Sequence, residues 1–368
     1  MCRHVESLLK KMQSMPILMP NSRFSTKSNN MKIYKLIIIA LCVISTKAIA
    51  QQNINELLAA GVADTQRFAE SYIAPASEGL VYAISNGWFN NAKSLRRFGF
   101  EISIVGNTNF VDDNRTSFKM VASDYENIRF QDNSPSKNVP TVFGNSESQT
   151  VVLTYDDPIF GNQEIEVSLP GGIGSSEANL IPTAFIQASF SPLKGTQIKA
   201  RLIPKLNFSD ASLNAFGVGI QQDLLSWLPG KKVLPVAVSG VIAYTNLKSE
   251  YDFTATNVVE GENQQMTLDV NSMLYQLVVG TKLKIINFYG ALGYVSGTTK
   301  TKLLGTYKIV GNNNTISEEI VNPISIKNKV SGLRTTLGAN LKLGFFGINA
   351  DYTFAEYNSA SLGVNIGF

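Results

Sequence analysis

SASLGVNIGF, residues 359–368, closes the chain. Leu362, Val364, Ile366 and Phe368 alternate with Ser361, Gly363, Asn365 and Gly367. Successive side chains of a strand point to opposite faces, so this is a ribbon with one apolar face and one small or polar face. It ends on an aromatic residue. A soluble domain has no evident reason to finish this way. A transmembrane barrel does, because its last strand must close the sheet against lipid.

The same alternation recurs upstream. It predicts strands over residues 98–111, 116–122, 183–190, 196–208, 213–222, 233–244, 266–281, 283–297, 333–343 and 348–354. With the last stretch this makes about eleven. Bacterial single-chain barrels use an even number, so twelve strands are expected, within a range of ten to fourteen. The fold class is therefore all-β, a transmembrane antiparallel barrel with an N-terminal helix. Facing rows are legible residue by residue. Ile198, Ala200, Leu202 and Leu206 fall on the lipid side, and Lys199, Arg201 and Lys205 on the other. A Lys or Arg facing lipid at mid-bilayer costs about 2–4 kcal/mol, so three on one face turn that face toward water or protein. By the same reasoning Glu101, Lys199, Arg201, Lys205, Arg334, Lys342 and Asp351 are candidate lumen residues.

Bulk composition agrees. Only 16% of the 368 residues are charged, while 20 Phe, 13 Tyr and 28 Gly suit short strands, tight turns and aromatic girdles. The formal charge of +4 misleads. Eight basic residues (Arg3, Lys10, Lys11, Arg23, Lys27, Lys32, Lys35, Lys47) and one acid (Glu6) lie in residues 1–50, which leaves 24 basic and 27 acidic residues beyond them. A nucleic-acid partner is not expected.

Residues 31–50 read as a secretory signal peptide. Lys32 and Lys35 form a basic start, residues 36–45 (LIIIALCVIS) are apolar, and Ala48 and Ala50 supply small residues for cleavage after Ala50. The apolar run is too short to span a bilayer as a helix. A lipoprotein reading through Cys42 fails on Leu41, which is not small. Met31 is the expected start, with residues 1–30 an upstream extension. Cys2, Cys42 and His4 are the only Cys and His residues. Residues 51–368 therefore offer no disulfide, thiol nucleophile, Ser-His triad or His-based metal site. No cofactor, metal or catalytic residue is expected, and the chain is not read as an enzyme.

Residues 51–94 form an N-terminal segment. A helix is expected over residues 53–72, capped by Asn53 or Asn55 and ended by Ala74-Pro75. It either packs on one end of the barrel or plugs the lumen. The barrel follows over residues 95–368. Residues 123–180 are a long, Pro-punctuated loop with its own hairpin near 150–155 and 163–169, and residues 300–329 read as a second long loop.

Two resemblances bear on this plan. The ending 359–368 resembles the terminal-Phe insertion signal of Gram-negative outer-membrane barrels, which implies recognition by the barrel-assembly machinery through Leu362, Val364, Ile366 and Phe368. The helix, the segment NGWFNNAK (86–93) and the strands together resemble an uncharacterised outer-membrane family typical of Bacteroidetes. Their general plan is similar to long-chain fatty-acid transporters, in which an N-terminal segment plugs the barrel.

These readings lead to a Gram-negative outer-membrane barrel embedded in lipid, with a pore or transport role for small or hydrophobic solutes as the first expectation. The solute is not legible. The alternative is a non-transporting surface-binding or structural barrel acting through its long loops. The inward charges could instead pair with one another and stiffen a closed barrel.

Overall fold

The computed structural model describes residues 57–58, 60–144, 149–157, 160–173, 179–208, 210–227, 235–252, 261–310 and 316–368. In chain order these hold the helix α1 (Val62–Ala83) and the strands β1 (Phe100–Phe110), β2 (Ser117–Val121), β3 (Ile128–Phe130), β4 (Ser136–Pro140), β5 (Thr150–Asp157), β6 (Gly161–Ser168), β7 (Leu180–Leu193) and β8 (Thr196–Phe208). They continue with β9 (Ala211–Asp223), β10 (Val236–Asp252), β11 (Gly261–Thr281), β12 (Ile286–Val310), β13 (Ile316–Val321), β14 (Ile324–Leu343), β15 (Phe346–Phe354) and β16 (Ser359–Gly367).

Ten strands close into one antiparallel barrel, in the order β1-β7-β8-β9-β10-β11-β12-β14-β15-β16, with β16 paired back onto β1. β13 stands outside this ring, paired with the tip of β12. The strand number is ten rather than twelve. Residues 117–121, expected as a return strand, pair instead with β4 in a small separate sheet. A half-buried strand of a soluble layer alternates just as a barrel strand does, so the pattern alone does not separate them. Residues 300–329 are not simply a loop: they hold the upper part of β12, β13 and the start of β14.

Outward rows are apolar and exposed, among them Ile102, Ile104, Phe216, Val218, Leu292, Leu333 and Leu337. Leu362, Val364, Ile366 and Phe368 belong to this exterior. An apolar belt this continuous needs lipid rather than water. Phe368 also stacks on Phe345, with ring centroids 6.2 Å apart, and exchanges backbone hydrogen bonds with Phe100 across the seam.

The two barrel ends differ. At one end lie the carboxy-terminus and the tight hairpins at Lys194-Gly195 and Gly344-Phe345. There Gly195 (φ +90°) and Gly344 (φ +67°) take the left-handed turn that a Cβ would strain. At the other end β10, β11, β12 and β14 run 17, 21, 25 and 20 residues and rise past their neighbours. The described residues of 111–179 form a cap there, built on the pair β2-β4 and the sheet β3-β5-β6.

α1 starts later and ends later than expected. Gly61 sits at φ +95° and forces the break before Val62. Pro75 lies inside the helix rather than ending it; the proline removes one backbone donor, and burial on the cap and barrel mouth carries the helix past it. The expected caps Asn53 and Asn55 lie outside the described residues. The first half of α1 belongs to the cap. Phe68 joins Met120, Ile128, Phe130, Val151 and Leu153 in its core. Asp64 accepts backbone N–H groups from Glu126 and Asn127 at 3.0 and 2.7 Å. The second half stands over the barrel mouth, where Arg115 binds Glu78 and Glu356, each at 2.7 Å.

Candidate functional site

The inner face of the barrel holds the buried Lys199, Arg201 and Arg334 and also a stretch of the chain's own sequence. Residues 84–97 leave α1 without regular secondary structure, and Ile84, Trp88, Phe89 and Ala92 of this stretch are buried inside the ring. A non-helical backbone buried in a barrel must find partners for its carbonyls, since there is no sheet for it to join. Arg201 supplies two of them, and Arg334 holds side chains of the same stretch. Arg201 donates to the carbonyl of Asn86 at 2.7 Å, to that of Ile84 and to the Thr245 hydroxyl. Arg334 donates to the Ser85 hydroxyl at 2.6 Å and to the Asn86 side-chain carbonyl at 2.5 Å. The guanidinium fork, with five N–H donors in one plane, suits this work better than a lysine would.

Lower in the lumen Gln221 donates to the carbonyl of Asn91 at 2.8 Å, and Ser239 to that of Ala92. Asn90 donates to Glu101 at 2.9 Å. Trp88 is almost fully buried (1% exposed) and lies under Arg201, whose guanidinium carbon is 4.0 Å from the ring centroid. Phe89 meets Tyr289 edge-on at 5.6 Å.

The wall is shaped to receive these groups. An added Cβ would stand 2.9 Å from Trp88 at both Gly217 and Gly219, and 2.5 Å from Val81 at Gly297. The barrel lacks side chains where α1 and the inserted segment press hardest. Inward glycines in otherwise alternating strands were the available sequence signal, and the matching NGWFNNAK segment was its partner.

The seven candidate lumen residues divide by position. Glu101, Lys199, Arg201, Arg334 and Asp351 lie on the inner face. Lys199 is 2% exposed and stands in one register row with Ser189 and Glu101. Asp351 accepts from the Tyr289 hydroxyl at 3.0 Å. Lys342 is exposed at the short-turn rim, beside the Gly344 hairpin. Lys205 is also exposed. A bulge in the β8–β9 pairing between Ile203 and Leu206 interrupts the alternation that placed it inward. Among the described residues no salt bridge joins these seven. The two arginines grip the inserted segment instead.

A model described as a family of unknown function (DUF6588) matches residues 30–368. No curated relative matches the sequence. Among solved structures the chain is similar to Ail, the attachment invasion locus protein of Yersinia pestis, at 10% identity, covering 74% of this chain and 99% of that one with a TM-score of 0.26. The translocator domain of autotransporter NalP from Neisseria meningitidis matches at 12% identity, 84% and 99% coverage and a TM-score of 0.29. A Pseudomonas aeruginosa FadL homologue matches at 8% identity, 73% and 89% coverage and a TM-score of 0.20.

Proposed function

The chain belongs to the DUF6588 family, and we propose that it is an outer-membrane barrel whose lumen is filled by its own chain and which presents a folded cap at the cell surface. The observation that carries this reading is the segment 84–97, fixed inside the ring by Arg201 and Arg334. The orientation follows from the two barrel ends, since short turns face the periplasm and long connections face outward. The cap of residues 111–179 then lies outside, and the terminal Phe368 at the periplasmic rim, in reach of the assembly machinery. The surrounding lipid is the partner of the outward rows. No catalytic step is assigned, as residues 51–368 contain neither Cys nor His.

The test is conductance of the purified, heat-modifiable protein in planar bilayers. The reading expects no steady current. A sustained open level in the unaltered protein would overturn it.

A solute-passing role is the second reading, and one feature favours it. Ser103, Gln187, Ser189 and Asn365, on β1, β7 and β16, each hold a buried polar side-chain atom with no protein partner. The inserted segment meets β9 to β12 and also β1 and β7, so this polar wall is partly covered by it. Passage of small solutes along it would need residues 84–97 to shift. Solute flux that is lost when the segment is cross-linked to β9 would support this reading over the first.

A further inference from the structure

Residues 84–97 do not merely enter the barrel; they pass through it. Strand register gives each contact a height. Gly79 lies against Ile181 and Tyr357, at the mouth where β1 ends. Asn86 donates to Asn109, which pairs with Ile181. Gly87 is beside Val105 and Asn107. Asn90 reaches Glu101 near the start of β1. The Leu95 carbonyl accepts from Ser191, and the Phe98 N–H donates to the Ser191 carbonyl at the short-turn end.

From Asn109 back to Gly99 is ten residue steps of strand, about 33 Å along the strand, or about 25 Å of height at a tilt near 40°. That is the thickness of a lipid-facing band. The chain therefore descends the whole lumen, turns at Phe98 (φ +60°) and climbs again as β1. The ring around it is continuous, with every neighbouring pair of its strands hydrogen-bonded. Connectivity puts α1 on the cap side, and Leu58 is buried there against Leu303, Tyr307, Ile324 and Ile326 of the raised strands.

We infer that the barrel is the conduit by which its own N-terminal segment crosses the membrane, delivering α1, with Leu57 and Leu58 ahead of it, to the outer face. The side chains of the transit stretch fit this path. Ser85, Asn86, Gly87, Asn90, Asn91 and Ala92 are small or polar, as a polar lumen requires, and the bulkier Trp88 has a wall of glycine cut to it. A peptide fused ahead of Leu57 is then carried outside with α1. The inference rests on the orientation given under Proposed function, and one labelling experiment separates the two.

The probe is a membrane-impermeant maleimide applied to intact cells, in a full chain whose Cys2 and Cys42 are replaced by Ser. Three exposed positions are converted singly: Glu70→Cys on α1, Lys119→Cys in the cap and Lys194→Cys at a short turn. Heat-modifiable migration verifies folding of each variant. Glu70→Cys and Lys119→Cys should label on intact cells, and Lys194→Cys only after the outer membrane is permeabilised. Labelling of Lys119→Cys without Glu70→Cys on intact cells would overturn the transit and leave the exposed cap standing. Labelling of Lys194→Cys with Lys119→Cys silent would overturn the orientation and both readings with it.

Discussion

Gly219→Ala is the sharpest small change the lumen offers. The new Cβ would lie 2.9 Å from Cζ3 and 3.0 Å from Cε3 of Trp88, and 3.1 Å from the Ala243 Cβ. Carbon atoms rest at about 3.5–4.0 Å, so the methyl intrudes on a ring by more than half an ångström. The indole cannot easily retreat. Arg201 covers one face, and Arg201 is itself tied to the carbonyls of Ile84 and Asn86. Overpacking of this kind costs about 1–3 kcal/mol. Trp88→Ala alone should cost about 3–5 kcal/mol by leaving a cavity. Combined, the two changes should cost less than their sum by about 1–2 kcal/mol, because the added methyl occupies space the indole has left. The assay is urea unfolding of the folded barrel in detergent, followed by heat-modifiable migration. A neutral Gly219→Ala, or strict additivity in the double variant, would show that Trp88 does not sit against this wall.

Other expectations follow from the same contacts. Arg201→Met should cost about 1–3 kcal/mol for each of the two backbone carbonyls it orphans, and should produce current bursts in planar bilayers; an unchanged, silent variant would refute the anchoring role. Phe368→Asp removes the stack on Phe345 and places a charge in the lipid-facing row, so the folded, heat-modifiable species should fall sharply in the membrane fraction, and normal insertion would refute the closing role of the last residue. Asp132 gives a pH test in the cap. Hydrogen bonds from Lys137 and Ser134 hold its carboxyl down to about 2. Because the folded value is depressed, the local stabilisation is present above the ordinary carboxylate range and is lost as pH falls through about 2. An NMR titration should show this midpoint, and Lys137→Ala should raise it toward the ordinary value.

Much of the barrel was legible because lipid enforces a rule. Wherever a strand crosses the membrane, an exposed polar side chain is costly, so Leu333, Leu337, Leu362 and Val364 had to fall in one row. The rule lapses above the membrane. Residues 300–329 lack a strict apolar row because one is not needed there, and so their strands read as a loop. β2 alternates for a different reason, burial against the cap core, and so entered the barrel count wrongly. Lys205 left its row because of a bulge, which a period-two pattern does not register. The inward arginines were visible, but their partners were not. Arg201 binds backbone carbonyls, which every residue possesses and no sequence pattern marks.

The seam between β1 and β16 has a temporal consequence. Nine residue pairs join them, from Glu101 with Gly367 to Asn109 with Ser359. These partners are the first and last strands of the ring, so the join closes over nearly the whole length of the barrel and waits for every strand between. The transit stretch is covalently contiguous with β1 and must be enclosed before this zipper engages. A ring that shuts early, with the stretch left behind, can be repaired only by opening the zipper again. Assembly is thus a race between threading and closure, and its losers should persist as a long-lived hollow population that conducts where the finished molecule is silent.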